Sequence, residues 1–308
     1  MSLQIVVQRR RTFLCGLCSL FLLNACSGGG EAGSSPGQVT TGNCTFLISS
    51  EPQSLSAADV EQVIAQGVQA SAALGAHATL SVVDRSGNVL AVYKMTGAAD
   101  TVTIGKTTGK PAQGLEGLNG IISSELASIS KAITGAYLSS SGNAFSTRTA
   151  SYLVQNHFPP GILQTAGGPL FGVQFSQLPC GDLVTRGTIV SNGPKRSPLG
   201  LSADPGGFPL YKNGQVVGGV GVIADGNYGL DMLPSQQSFG PDEQIAQSAL
   251  NGFSAPTCIR ADQISVNGLT LPYSNSDNEL VAVSVNSLSD PLVATLGSLS
   301  SVPMYYDN

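Results

Sequence analysis

Phe208-Pro-Leu-Tyr211, Lys212-Asn-Gly-Gln215 and Val216-Val-Gly-Gly-Val-Gly-Val-Ile223 read as strand, turn and strand. Asn-Gly between two β-prone runs is a strong short-range hairpin signal, because both turn positions need a positive φ. The second run is apolar throughout, which predicts a central strand buried on both faces. Its glycines let another backbone, a helix or a ligand come close. A second hairpin is predicted upstream, where Ala78-Thr-Leu-Ser-Val-Val83 and Val89-Leu-Ala-Val-Tyr93 flank the turn Asp84-Arg-Ser-Gly-Asn88.

Helical patterns lie between and around the hairpins. Ser56-Ala-Ala-Asp59 is a capping box for a helix using Val60, Val63, Ile64, Val68 and Ala72, with Gly75 as its stop. Ile122, Leu126, Ile129, Ile133 and Tyr137 recur at helical spacing, and Ser146 to Val154 predicts a shorter third helix. Pro241-Asp-Glu243 opens a last helix that uses Ile245, Ala249, Leu250 and Phe253. Asn267-Gly268 marks a further hairpin in a tail whose end reads as polar and loose. The order is helix, hairpin, helices, hairpin, helix, which predicts one α+β layered core with an antiparallel sheet.

The N-terminus predicts export. Arg9-Arg10-Arg11 precede an apolar run from Phe13 to Leu23 that is too short for a permanent membrane span. Leu23-Asn24-Ala25-Cys26 resembles the bacterial lipobox, so residues 1–25 are expected to be a signal peptide, with Cys26 carrying a lipid. Residues 26–43, rich in Gly and Ser, read as a flexible tether. A lipid anchor facing the periplasm follows as the expected location, the outer membrane favoured because Ser27 is not the aspartate of inner-membrane retention.

Composition narrows the function classes. After removal of the signal, 11 Lys and Arg face 19 Asp and Glu, a net charge of −8. Without a basic patch, nucleic acid is a poor partner, and so is an anionic lipid surface. Cys15 and Cys18 leave with the signal, so Cys44, Cys180 and Cys258 remain in an oxidising compartment. Three cysteines allow one bridge; Cys44 with Cys258 is favoured because the two bracket the domain. The spacing predicts no cysteine metal site, and the metal question stays open.

No G-x-S-x-G elbow, P-loop or dinucleotide fingerprint occurs, so the sequence gives little support to an enzyme. With only two histidines, a histidine-rich site is excluded. His157, at the mouth of a Gly/Pro-rich stretch, is a candidate ligand through a ring nitrogen, or else an exposed loop histidine or local cap. His77, between the first helix and first strand, is a weaker candidate or a packed connector. Tyr93, Tyr152 and Tyr211 offer phenolates for ferric iron or ordinary packing. Lys131 and Arg148 are candidates for binding a carboxylate ligand, or else lie on a solvated helix face. Asp84, Asp225 and Asp231 stand near turns, where aspartate bonds its own backbone.

Several of these stretches, in this order, resemble the GlcG/HbpS-like haem-binding (haem-degrading domain) family. They are Leu55-Ser-Ala-Ala-Asp-Val60, Leu80-Ser-Val-Val-Asp84, Ser86-Gly-Asn-Val-Leu90, Ser130-Lys-Ala-Ile-Thr134, Gly206-Gly-Phe-Pro-Leu210, Asn213 to Val222 and Asp242-Glu-Gln-Ile-Ala246. The resemblance implies a PAS/profilin-like antiparallel sheet flanked by helices over residues 44–258. Insertions at 94–120 and 158–205 and an extension at 259–308 depart from the family pattern. It also implies a small-molecule ligand, haem or iron first, with His157 as a candidate axial ligand and Lys131 and Arg148 as candidates for a haem propionate, and assembly into homo-oligomers. The alternative is a PAS-like binding or accessory module for another small molecule or a partner enzyme, without haem.

Overall fold

The computed structural model describes residues 37–41, 44–105, 115, 118, 120–173, 175–177, 199–236, 240–277 and 279–301. The strands are β1 (Gly37–Thr41), β2 (Cys44–Ile48), β3 (Thr79–Asp84), β4 (Val89–Met95), β5 (Thr103–Ile104), β6 (Gly207–Lys212), β7 (Gln215–Ile223), β8 (Asn227–Tyr228), β9 (Ser265–Val266), β10 (Leu269–Thr270) and β11 (Gly297–Leu299). The α-helices are α1 (Ala57–Ala73), α2 (Ser124–Leu138), α3 (Thr147–Leu153) and α4 (Pro241–Ser248). Ser35–Asn308 make up one unit. Its centre is a five-stranded sheet in the order β11-β4-β3-β7-β6, antiparallel at every pairing. The expected α+β class is borne out.

Both hairpins form as the sequence dictates. Asn213 and Gly214 take φ of 49° and 77°, which the Asn-Gly pair tolerates and most residues would not. β7 lies between β3 and β6 and is buried from Val217 onward. Pro209 has no N–H to give to a ladder, and β6 is an edge strand.

The pleat of β7 assigns the two faces. Gly219 and Gly221 point at α2: a Cβ there would stand 2.1 Å from the carbonyl oxygens of Ala132 and Ser128 respectively. Val220 and Val222 point the other way, into the main core with Val63, Ile64 and Val68 of α1, Ile245 of α4 and Ala249 just after it. The capping box at Ser56 and Asp59 is present, with the Asp59 N–H donating to Ser56 Oγ and the Ser56 N–H to Asp59 Oδ2.

Three expectations change. β1 falls inside the stretch read as tether and pairs with β2. Thr and Val at 39–41 supply β-prone side chains that a Gly/Ser count overlooks. The segment after 258, read as a loose extension, contributes Leu271, Tyr273, Val285 and Val293 to the core, and β11 completes one edge of the sheet. Its apolar residues are too scattered to show a period, yet they join the main core, where Tyr273 packs edge-on against Phe208 of β6. The insertion at 94–120 adds β5, which pairs in parallel with β8. Its Val102, Leu115 and Leu118 build a small second core with Leu126 and Tyr228.

Replacing Gly221 by Ala should lower the urea midpoint by an amount equivalent to about 3 kcal/mol, since the new methyl overlaps a helix carbonyl in a packed interface. Gly142→Ala, where a Cβ would meet only Ser140 Oγ at 3.9 Å, should shift it little.

Candidate functional site

α2 carries Lys131 toward the end of β7, where three elements converge. Its Nζ lies 2.6 Å from Asp204 Oδ2 and 2.5 Å from Asp242 Oδ2, and donates to the Val222 carbonyl at 2.9 Å. An ammonium has three N–H groups, and all three are taken. The side chain is fully buried. Asp242 opens α4, and its second oxygen accepts the N–H groups of Ala224 and Asp225. The second oxygen of Asp204 accepts the Gly229 N–H at 3.1 Å.

Two carboxylates share one ammonium here, so the cluster is short of positive charge. Burial pushes the carboxyl of Asp204 up to about 6 and that of Asp242 up to about 7, against the pull of Lys131. Burial also works against the Lys131 charge, but Asp204, Asp242 and the more distant Asp225 outweigh it and raise the ammonium above the ordinary lysine range.

The neighbouring residue of α4, Glu243, takes Arg148 of α3 in a fork: Nε to Oε1 at 2.6 Å and Nη2 to Oε2 at 2.8 Å, with both side chains buried. Lys131 and Arg148 are therefore not on a solvated face, and neither presents its charge outward to a propionate. The reason is the cover over α2: Gly200 accepts from Ser130 Oγ, and the Ser202 N–H donates to Thr134 Oγ1. Tyr228 Oη adds bonds to Ser130 and Ser176 beneath the same cover. Sequence periodicity does not see a loop that lies on a helix. Asp204 and the pairing of Asp242 and Glu243 went unread; a Lys and an Arg on otherwise apolar helices were the available signal.

The other candidates are scattered. His157 is half-buried, and its Nδ1 lies 2.8 Å from the Thr165 carbonyl. A carbonyl only accepts, so Nδ1 donates, and in the neutral ring that tautomer leaves the lone pair on Nε2. The loop it opens is closed by the Phe158 N–H to Ala166, the Gly168 N–H to Gln155 and the Leu170 N–H to Leu153. It displays Ile162, Leu163 and Phe171 to solvent at 51%, 77% and 51% exposure. His77 is exposed and packs beside Gly97. Tyr93, Tyr152 and Tyr211 are buried in the fold, where burial raises each phenol; Tyr211 Oη donates to the Ser140 carbonyl. Asp84, Asp225 and Asp231 each accept a backbone N–H within their own turns. Among the described residues no group of three or more His, Cys, Asp or Glu could hold a metal ion. Cys258 is disulfide-bonded. The pairing with Cys44 falls on side chains outside the described residues, as does Cys180.

A separate apolar groove of about 630 Å³ runs between the start of α1, β4 and β11. Leu55, Val60, Ile64, Leu90 and Leu299 line it together with Glu61, and among the described residues no histidine, tyrosine, cysteine, lysine or arginine does. None of the candidate ligand residues named from the sequence lines it, although Ser56, Val60 and Ile64, read there as the start of a helix, do.

The sequence matches no family model and no curated protein. Solved structures similar to it include the Klebsiella pneumoniae protein ORFY (22% identity, TM-score 0.38, covering 68% of this chain and 96% of that one). A PduOC–haem complex matches at 21% identity and TM-score 0.39, over 67% and 99% of the two chains. HbpS matches at 21% and 0.34, over 66% and 92%. At such identities and scores nothing carries over to this chain's site, which stands on its own residues.

The pH dependence of the buried cluster has a definite sign. Because both aspartates have folded-state values above their unfolded ones, the native state binds more protons than the unfolded state between roughly pH 4 and 7. Their contribution to stability is therefore lost as pH rises through that window, and Asp204→Asn should flatten the decline in urea midpoint. Lys131→Met, which leaves two buried carboxyls without their cation, should cost about 3–5 kcal/mol at neutral pH and less in acid.

Proposed function

We propose that this protein is an envelope lipoprotein that binds haem through His157. The supporting observation is the ring itself. A metal-ligating histidine commonly donates its other N–H to a backbone carbonyl, which fixes the tautomer and aims the ring, and Thr165 supplies that carbonyl. The exposed Ile162, Leu163 and Phe171 of the same loop offer the apolar surface that a porphyrin face requires. Bound there, haem would bring its iron chemistry, while the chain supplies one nitrogen ligand and an apolar platform. Lys131 and Arg148 do not fit as propionate partners, because Asp204, Asp242 and Glu243 hold them inside. The resemblance in residues 55–253 is the reason to put haem ahead of other flat apolar molecules.

Attachment through a lipid on Cys26 is part of the same reading, supported by the lipobox-like Leu23-Asn24-Ala25-Cys26. No helix among the described residues is long and apolar enough to cross a membrane.

The test is a haemin titration of the full chain carrying Cys26→Ser, followed by the Soret band. A saturable one-to-one shift is expected, weakened about tenfold or more by His157→Ala, the loss typical of a ligating side chain or its orienting partner. An unchanged titration in that variant would remove His157 as the ligand, and no saturable shift at micromolar haemin would remove haem. For the anchor, the unmodified chain expressed in a bacterium should partition into the detergent phase, and Cys26→Ser should leave it in the aqueous phase.

A further inference from the structure

Among the described residues lining the groove between α1, β4 and β11, one is charged, and its bonding is lopsided. Glu61 Oε1 accepts both the Ser287 hydroxyl at 2.6 Å and the Leu288 N–H at 2.9 Å. No described residue bonds Oε2. The two donors stabilise the charged form, Ser287 most, and hold the carboxyl below its usual range, so Glu61 is ionised at neutral pH. The amino end of α1 also borders the groove, but the capping box occupies it: the carboxylate of Asp59 takes the Ser56 N–H and pairs with Lys212 at 2.7 Å. The remaining wall is aliphatic, with Leu90 and Leu299 left 41% and 63% exposed. A volume near 630 Å³ lies within the range of small-molecule sites.

We propose that this groove binds an amphiphilic organic cation, its aliphatic body lying between Val60, Leu90 and Leu299 and its ammonium donating to Glu61 Oε2. Charge complementarity selects this class. An anionic amphiphile would bring a carboxylate to a carboxylate with no cation among the described lining residues. A neutral one would leave the ionised oxygen under an apolar body, a costly desolvation. The net charge of −8 on residues 26–308 further favours cations over anions near the surface. Haem does not suit this groove, since no described lining residue offers iron a nitrogen, sulfur or phenolate, and its propionates would face Glu61. The proposal is therefore independent of haem binding at His157 and survives or fails separately.

The test uses isothermal titration of the full chain carrying Cys26→Ser with n-octylammonium, n-octanoate and n-octanol, each below its aggregation limit. Octylammonium is expected to bind saturably, about tenfold more tightly than either analogue, the margin of one charge-assisted hydrogen bond. Glu61→Gln keeps an acceptor for Ser287 and Leu288, so the fold should stand while the preference for the cation disappears. Leu299→Arg, at an exposed position, should weaken octylammonium by repulsion without disturbing the core. Equal binding of all three probes, or an unchanged preference in Glu61→Gln, would overturn the proposal. So would a titration without saturable heat. Self-association that depends on protein concentration and is lost in Leu299→Arg would assign the groove to a second copy of the chain, and would overturn it as well.

Discussion

Two adjacent acids at the start of α4 hold the architecture together. Asp242 takes the ammonium of Lys131 from α2, and Glu243 takes the guanidinium of Arg148 from α3. Each carboxylate sits where the helix dipole favours negative charge. One turn of chain thus fixes two other helices against the end of the sheet. Asp242 also binds the backbone of Ala224 and Asp225, so the exit of β7 is set by the same side chain. A buried ion pair adds little net stability over a well-packed apolar pair, but breaking one is costly. Such pairs therefore act mainly to exclude other arrangements, because any shift of α2 or α3 strands a charge in the interior.

The glycines of β7 make that clamp geometrically attainable. α2 comes so close to the strand that side chains at Gly219 and Gly221 would overlap its carbonyls. Gly135 repeats the arrangement from the helix side, where a Cβ would lie 2.5 Å from the Phe208 carbonyl carbon. With the helix this low, Lys131 reaches past the sheet to the Val222 carbonyl and to both aspartates. The Ser81 and Ser128 hydroxyls also meet at 2.5 Å, a polar contact in the same interface. Packing distance and charge placement are one constraint: a larger residue in β7 would raise α2 and pull the ammonium off its partners.

Local chemistry made much of the fold legible. Asn213-Gly214, the capping box at Ser56 and the helical spacing of Leu126, Ile129 and Ile133 each act within a few residues, and each forms as read. The antiparallel sheet followed from the two hairpins. What escaped was long-range. Nothing near Lys131 in sequence says that residues 199–204 will cover it, or that its counter-charges come from 73 and 111 positions further on. The groove escaped for the same reason. Leu299 and Leu288 come from a tail without periodicity, and Glu61 reads as an ordinary surface residue until Ser287 arrives beside it.

Placing the charges inside has a consequence for ligand binding. Lys131 and Arg148 are buried cations whose carboxylate partners belong to the chain itself, so an incoming anion would have to displace a buried, hydrogen-bonded group. Binding chemistry is thereby pushed to the periphery, onto surfaces whose side chains are not needed to hold the fold. The His157 loop has a ring fixed by a backbone carbonyl with one nitrogen to offer. The groove at α1 has an ionised carboxylate with one oxygen to offer. In both, one atom of a two-ended group is anchored and the other is left for a partner, an arrangement that orients a ligand without asking the clamp at α4 to move.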